Sequence, residues 1–293
     1  MFPNAFFHTQ DLGNRGVDVL AIQHLLALSG PDGIFGATTR SAVMAFQRSK
    51  GLAADGIAGP LTWRALTPLL REGASGTAVR ALQAQLNAKR RLSLPVDGRF
   101  TAEVGQAVRA FQAHAGIGAD AVAGPITWRN LVWHYAYPAP AGMCDKDPDG
   151  NGPANWGTGA AIGQLEAAVR AFATGTVPLG DVGFEHGGPI PGHASHQAGL
   201  DVDLWPIRSD NAQCTAERIT WRSADYDRDA TRRLAQAVRA TAPGHVKYIW
   251  FNDPVLIQEG LTDHWPNHDN HLHVRYCEAG HPDAAYLCGA AHA

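Results

Sequence analysis

The sequence predicts a multidomain chain: two small all-α, three-helix repeats, followed by a second half of different make-up. An internal duplication, a linker rich in Pro and Ala, and a concentration of histidine beyond that linker support this division. The duplication comes first. Gly16-Val17-Asp18-Val19-Leu20-Ala21-Ile22-Gln23 recurs sixty positions on as Gly76-Thr77-Ala78-Val79-Arg80-Ala81-Leu82-Gln83. After a five-residue insertion the offset becomes sixty-five, so that Asp32-Gly33 answers to Asp97-Gly98, Phe46-Gln47 to Phe111-Gln112, and Gly59-Pro60 with Trp63 to Gly124-Pro125 with Trp128.

Within each copy, Val19, Ile22 and Leu26, and their counterparts Val79, Leu82 and Leu86, recur at helical spacing and form one apolar stripe. Each Gly-Pro pair opens a short helix, because proline at the first helical position gives up an N–H that has no partner anyway. Phe46, Phe111, Trp63 and Trp128 are expected in the core. The Asp-Gly pairs are expected in turns. Segment limits follow: a tail over 1–9, repeats over 10–68 and 69–133, a linker over 134–155, and a larger domain over 156–293.

The linker, Tyr135 to Gly142, alternates Pro, Ala and Gly. Immediately beyond it, Asp145, Asp147, Asp149 and Asn151, with Gly150 at the sixth position, match the start of a calcium loop. The match stops at position 12, where Trp156 stands in place of a bidentate Glu. A plain acidic turn is the favoured reading and a Ca2+ site the alternative.

Composition limits the partners. The chain has 293 residues, 45% hydrophobic, with a net charge of −3, and it shows neither a basic run nor an apolar run long enough to span a bilayer. We therefore expect a soluble monomer that binds no nucleic acid and inserts in no membrane. The first residues, Met1-Phe2-Pro3-Asn4, lack the charged and apolar regions of a signal peptide. Four cysteines, at 144, 214, 277 and 288, are an even number and fit disulfides in an exported protein. The set 144 with 214 and 277 with 288 is one of three possible connectivities.

Histidine carries the chemistry. A lone His is more often a satisfied core or surface residue than a ligand, but nine of the fourteen fall between His186 and His281. The two sharpest groups are His193-Ala-Ser-His196-Gln-Ala-Gly-Leu-Asp201-Val-Asp203 and His268-Asp-Asn-His271-Leu-His273. On an extended strand His271 and His273 point to one face, and so do Asp201 and Asp203. Two imidazoles, one carboxylate and an open fourth position suit a catalytic rather than a structural zinc ion. Zinc lowers the pKa of a bound water from about 15.7 to roughly 7, and an unligated imidazole beside it serves as general base. Spacing alone leaves Asp201 and Asp203 as competing ligands. Ser195 lacks a G-x-S-x-G elbow, which argues against a serine hydrolase. A closed structural zinc site would ordinarily use cysteine, and neither segment contains one.

The strings GHASHQAGLDVDL and HDNHLHVR, with Asn155-Trp156-Gly157-Thr158 and Gly187-Gly188-Pro189, closely resemble the penicillin-insensitive murein endopeptidases of the LAS metallopeptidase group. The resemblance covers about Trp156 to Arg275. It implies an α+β domain with a small antiparallel sheet, with Zn2+ held by His196, Asp203 and His273, His271 as catalytic base, and His193 and His268 in auxiliary positions. The front repeats resemble the peptidoglycan-binding domain. Together these resemblances imply a modular peptidoglycan hydrolase that cleaves peptide cross-links, D-alanyl-meso-diaminopimelate bonds foremost, either as a secreted autolysin or as a phage endolysin released through a holin. A carboxypeptidase trimming terminal D-Ala, and a wall-binding protein with a vestigial metal site, are the alternatives. Substrate-binding residues are not fixed by the motifs: Arg275, Lys247 and Arg208 are candidate cations for the cleft, and Trp205, Trp250 and Trp265 candidate walls.

Overall fold

The computed structural model describes residues 5–139, 141–146 and 154–289. They fall into two compact units, Met1–Tyr137 with Thr158–Ala160 and Glu278–Pro282, and Pro138–Gly157 with Ala161–Cys277 and Asp283–Ala293.

The first unit is built on the duplication. Helices α1 (Val17–Leu25), α2 (Ala37–Ser49) and α3 (Pro60–Leu66) form one repeat, and α4 (Thr77–Arg90), α5 (Ala102–His114) and α6 (Pro125–Trp133) the other. Proline occupies the first position of α3 and of α6. Val19, Ile22, Val79, Leu82, Leu86, Trp63 and Trp128 are fully buried, Phe111 nearly so, and Phe46 packs partly buried at the edge of the same core. Backbone bridges repeat as well: Gln10 with Ala58 and Arg15 with Ile34 recur as Leu70 with Ala123 and Ser75 with Arg99.

The structure adds a finer period that hydrophobic spacing did not reveal. Four buried glutamines, Gln23, Gln47, Gln83 and Gln112, each clamp the turn that follows their helix. In each case the amide Nε2 donates to an Asp Oδ1 (of Asp32, Asp55, Asp97 and Asp120) at 2.7 to 3.0 Å. The amide Oε1 accepts the N–H of Gly33, Gly56, Gly98 or Ala121. Each Asp then accepts the N–H two residues on. Gly33, at φ +71°, takes the left-handed conformation that a side chain disfavours. The Asp-Gly pairs are thus turns held by a glutamine, and the side-chain amides of these four glutamines are satisfied.

Helix α1 packs on α4 with a buried ion pair at its centre. Lys89 Nζ donates to Asp18 Oδ1 at 2.7 Å and to the Val132 carbonyl at 2.8 Å, and both side chains have no solvent exposure. Removing one partner of such a pair strands the other charge. Lys89→Ala is expected to destabilise the protein by about 3–5 kcal/mol, read as a lowered denaturant midpoint; an unchanged midpoint would mean that Asp18 is accommodated without its partner.

The second unit is an α+β domain. Its five-stranded sheet has the order β1-β2-β3-β5-β4, with β1 (Met143–Asp145), β2 (Val177–Leu179), β3 (Asp201–Leu204), β4 (Val246–Trp250) and β5 (Leu272–Tyr276). Helix α7 (Gly159–Phe172) lies between β1 and β2 in sequence, and α8 (Arg228–Thr241) and α9 (Pro254–Gln258) flank β4. The sheet is mixed rather than purely antiparallel as expected. Met143 to Asp145 run parallel to Val177 to Leu179, because the chain returns through α7 instead of a hairpin. Disulfides join Cys144 to Cys214 and Cys277 to Cys288. Of the suggested calcium residues, Asp145 ends β1, whereas Asp147, Asp149 and Asn151 lie outside the described residues.

Candidate metal and catalytic site

Alternation along the central strands builds the site. On β3, Val202 and Leu204 are fully buried against the core, and Asp201 and Asp203 project from the other face. On β5, Leu272, Val274 and Tyr276 take the core side. That leaves His273 and Arg275 on the face of the two aspartates, with Asp203 paired to His273 and Asp201 to Arg275 across the ladder. Trp250 of β4 is the partner of His273 on its other side.

His196 reaches the same place from the loop before β3. Its φ of +65° is unusual for a side-chain-bearing residue, and its N–H donates to Asp201 Oδ2 at 3.0 Å. The loop also depends on Gly183, where a Cβ would stand 2.8 Å from the Trp156 carbonyl oxygen. Gly183 follows Val182, whose carbonyl accepts the Nδ1–H of His196 at 3.1 Å.

Three donor atoms converge. His196 Nε2, Asp203 Oδ1 and His273 Nδ1 lie 3.3, 2.9 and 3.2 Å from one another. Tetrahedral zinc with ligand distances of 2.0–2.1 Å requires edges of roughly 3.3 to 3.4 Å. The hydrogen bonds on the far sides of the rings reinforce this fit. His196 spends its Nδ1–H on Val182, and His273 donates Nε2–H to Asp201 Oδ1 at 3.0 Å. In their neutral forms both imidazoles therefore turn a lone pair towards the Asp203 carboxylate. Three acceptors at such distances require a cation or a proton between them.

The protein's own electrostatics express the same demand. Burial alone would lower His273, but its bonds to Asp201 and Asp203 and their charges outweigh it and raise the imidazole to about 9. Burial likewise opposes ionisation of Asp201 and Asp203. For Asp201 the bond and charge of His273, with His196 and Arg275, prevail; for Asp203, His196 and His271 do, and both carboxyls stay well below the usual carboxylate range. Asp201 also accepts Arg275 Nε at 2.6 Å. It therefore fixes His196 through the backbone and His273 through the ring.

His271 lies just before β5, and its ring centroid is 6.5 Å from that of His273. Its Nδ1–H donates to Asn270 Oδ1 at 2.8 Å, which leaves Nε2 as an acceptor 3.8 Å from Asp203 Oδ1. Burial pushes His271 down to about 4, opposed by Asp203. His268 donates Nδ1–H to the Pro266 carbonyl at 2.8 Å and lies 4.6 Å from His271 between ring centres. His193 Nε2 stands 2.9 Å from Asp181 Oδ2, with its ring 4.8 Å from that of His196.

These groups open into a cleft of about 420 Å3 lined by His193, Arg218, Trp250, Trp265, His268, His271 and His273, among others. Trp265, 49% exposed, stacks on Trp250 at 4.5 Å between ring centres, and Trp250 stacks on His273 at 5.1 Å. The third candidate wall, Trp205, is buried instead. The candidate cations lie elsewhere: Arg275 is bonded to Asp201 behind the site, Arg208 is held by Asp210 and Asp225, and Lys247 donates to the Ala285 carbonyl. Sequence reading missed Arg218 because no motif surrounds it, and missed Asp181 because its partnership with His193 spans separate loops.

Residues 15–66 and 75–131 match the family described as putative peptidoglycan binding domain, and residues 154–245 match penicillin-insensitive murein endopeptidase. By family, two peptidoglycan-binding repeats precede a murein endopeptidase region. His271 and His273 lie beyond the matched stretch. Among curated relatives, the N-acetylmuramoyl-L-alanine amidase CwlM of Mycobacterium tuberculosis is 36% identical over 112 residues, 34% of this chain and 28% of that protein. A probable N-acetylmuramoyl-L-alanine amidase of Bacillus licheniformis is 32% identical over 151 residues, 43% and 42% of the two chains. The penicillin-insensitive murein endopeptidase of Pectobacterium atrosepticum is 49% identical over 45 residues, 15% of this chain and 16% of that one. The chain thus spans less than half the length of each of these relatives.

Proposed function

We propose that this chain is a zinc-dependent peptidoglycan endopeptidase, held on the cell wall by its two front repeats and cleaving D-alanyl-meso-diaminopimelate cross-links. The observation that carries the reading is the triangle of His196 Nε2, Asp203 Oδ1 and His273 Nδ1, three acceptors facing one another, with His273 also lining an open cleft. In this reading they are the ligands. When bound there, zinc supplies a Lewis acid for the scissile carbonyl and a nucleophile at neutral pH. His271 is the general base, since Nε2 is free of its proton and turned towards the ligands; it accepts a proton from the attacking water and returns it to the leaving amine. His193, oriented by Asp181, and His268 line the cleft where negative charge develops on the carbonyl oxygen.

The repeats work by effective concentration, holding the catalytic unit against an insoluble polymer. The protein acts as a monomer outside the cytoplasm, as a secreted wall enzyme or a phage lysin, where both disulfides persist. No described helix is long and apolar enough to cross a membrane.

Asp201 orients two of the ligands without being one. Asp201→Ala is expected to weaken zinc binding roughly 10- to 100-fold, measured by competition with a chromogenic chelator; wild-type affinity would remove Asp201 from this supporting role.

The function is tested with purified diaminopimelate-type sacculi. The protein should release soluble fragments, lose that activity on chelation, recover it with Zn2+, and still sediment with sacculi while chelated. Release that survives exhaustive chelation would overturn the metal reading, and failure to sediment would overturn the targeting role.

A further inference from the structure

Helices α3 and α6 each present a large aliphatic side chain to solvent at the same place. Leu61 is 64% exposed and Ile126 57% exposed, and each directly follows the proline that opens its helix. The core takes Trp63 and Trp128, two residues further on, and has no use for either aliphatic. A single exposed aliphatic is ordinary on a protein surface, but here the surroundings recur as well. Leu61 lines a cleft of about 220 Å3 together with Leu52, Ile57 and Pro60. The residues sixty-five positions on are Ile126, Ile117, Val122 and Pro125, so an apolar residue answers to an apolar one throughout. Exposure repeats too, with Leu52, Ile57, Ile117 and Val122 all half-buried.

The backbone beneath each set is fixed in the same way. Gln47 Nε2 donates to the Ile57 carbonyl at 2.9 Å, and Gln112 Nε2 to the Val122 carbonyl at 3.0 Å. A surface held in this way needs little ordering when a ligand arrives. Its charge narrows the ligand. Asp55 is the one charged side chain among the described residues lining the cleft, and its counterpart is Asp120. Both are exposed anions, which repel the free acids of a stem peptide. An N-acetylglucosamine unit of the glycan carries no acid; its hydroxyls suit a carboxylate acceptor, and its acetamido methyl suits an aliphatic wall.

We propose that Leu61 and Ile126, each with the apolar residues beside it, are the wall-binding subsites of the two repeats, and that each takes an N-acetylglucosamine unit of the glycan strand. The assignment rests on the reading that the repeats hold the protein on the wall. Two like subsites on one chain suit a polymer whose own units repeat, since the second contact forms at high effective concentration once the first is made.

The test is sedimentation of the full-length protein, chelated to prevent digestion, with purified sacculi. Leu61→Asn and Ile126→Asn should each weaken binding about tenfold, the change carried by burying one such side chain, and the double variant should lose more than either alone. Leu61→Met, which keeps the apolar contact, should bind as the wild type does. Thermal unfolding of the variants establishes the fold. Soluble N-acetylglucosamine oligomers should compete with sacculi for the wild-type protein, whereas the de-N-acetylated oligomers and free stem tetrapeptide should not. Wild-type sedimentation of the folded double variant would overturn the subsites. Competition by the tetrapeptide, equal competition by the de-N-acetylated oligomers, or none by the acetylated ones would overturn the glycan assignment. Wild-type protein that fails to sediment would overturn the targeting reading, and the assignment with it.

Discussion

Protein carrying His273→Ala is expected to purify without zinc and without activity. The substitution removes Nδ1 from a triangle whose other corners, His196 Nε2 and Asp203 Oδ1, cannot close around an ion alone. It also deprives Asp201 and Asp203 of the imidazole that bridges them. The loss of zinc affinity should exceed the roughly 10- to 100-fold expected for a supporting residue such as Asp201, because a ligand itself is gone. Asp203→Ala should behave alike. Elemental analysis of the purified variants, with circular dichroism to establish the fold, checks this. Stoichiometric zinc in either variant would remove that residue from the ligand set.

His271→Ala should separate metal from turnover. Zinc stays near one equivalent, because the three converging atoms come from other residues, whereas the rate falls roughly 10²- to 10⁴-fold, the usual contribution of a positioned general base. Retained turnover would exclude His271 from the base role. The pH dependence follows from the direction of its shift. Burial pushes His271 down to about 4, so its neutral, proton-accepting form prevails above that value. A rate profile for the wild type should therefore show no loss between pH 8 and 5 attributable to His271. The stability effect runs the same way: a group that binds its proton more weakly when folded favours unfolding as pH falls below its unfolded value of 6.5 towards 4.

Much of this was legible in the sequence because duplication and short-range spacing are local properties. Repeated Gly-Pro and Val-x-x-Leu/Ile spacings announce the helices, and period-two alternation in Asp201-Val-Asp203 and His271-Leu-His273 announces two faces. Alternation could not say which aspartate turns towards which nitrogen of His273, since both sit on one face; only the register of β3 against β5 separates Asp203 at Nδ1 from Asp201 at Nε2. The parallel pairing of β1 with β2 was hidden because three-residue strands carry no readable period. Arg275, Arg208 and Lys247 looked alike as cations for the cleft, and only the structure shows the partner that holds each of them. The glutamine clamps escaped notice because a buried amide has no hydrophobic signature, although an Asp follows Gln47 and Gln112 by eight positions and Gln23 by nine.

The central claim, a zinc endopeptidase acting on wall cross-links, is tested most directly by mass spectrometry of the soluble products from diaminopimelate-type peptidoglycan digested with the zinc-loaded protein. The account predicts that cross-linked dimers are converted to monomers by hydrolysis of the D-alanyl-meso-diaminopimelate bond, with the new amine on diaminopimelate. Release of free D-Ala alone, or stem peptides cut from intact glycan at the lactyl amide, would contradict it.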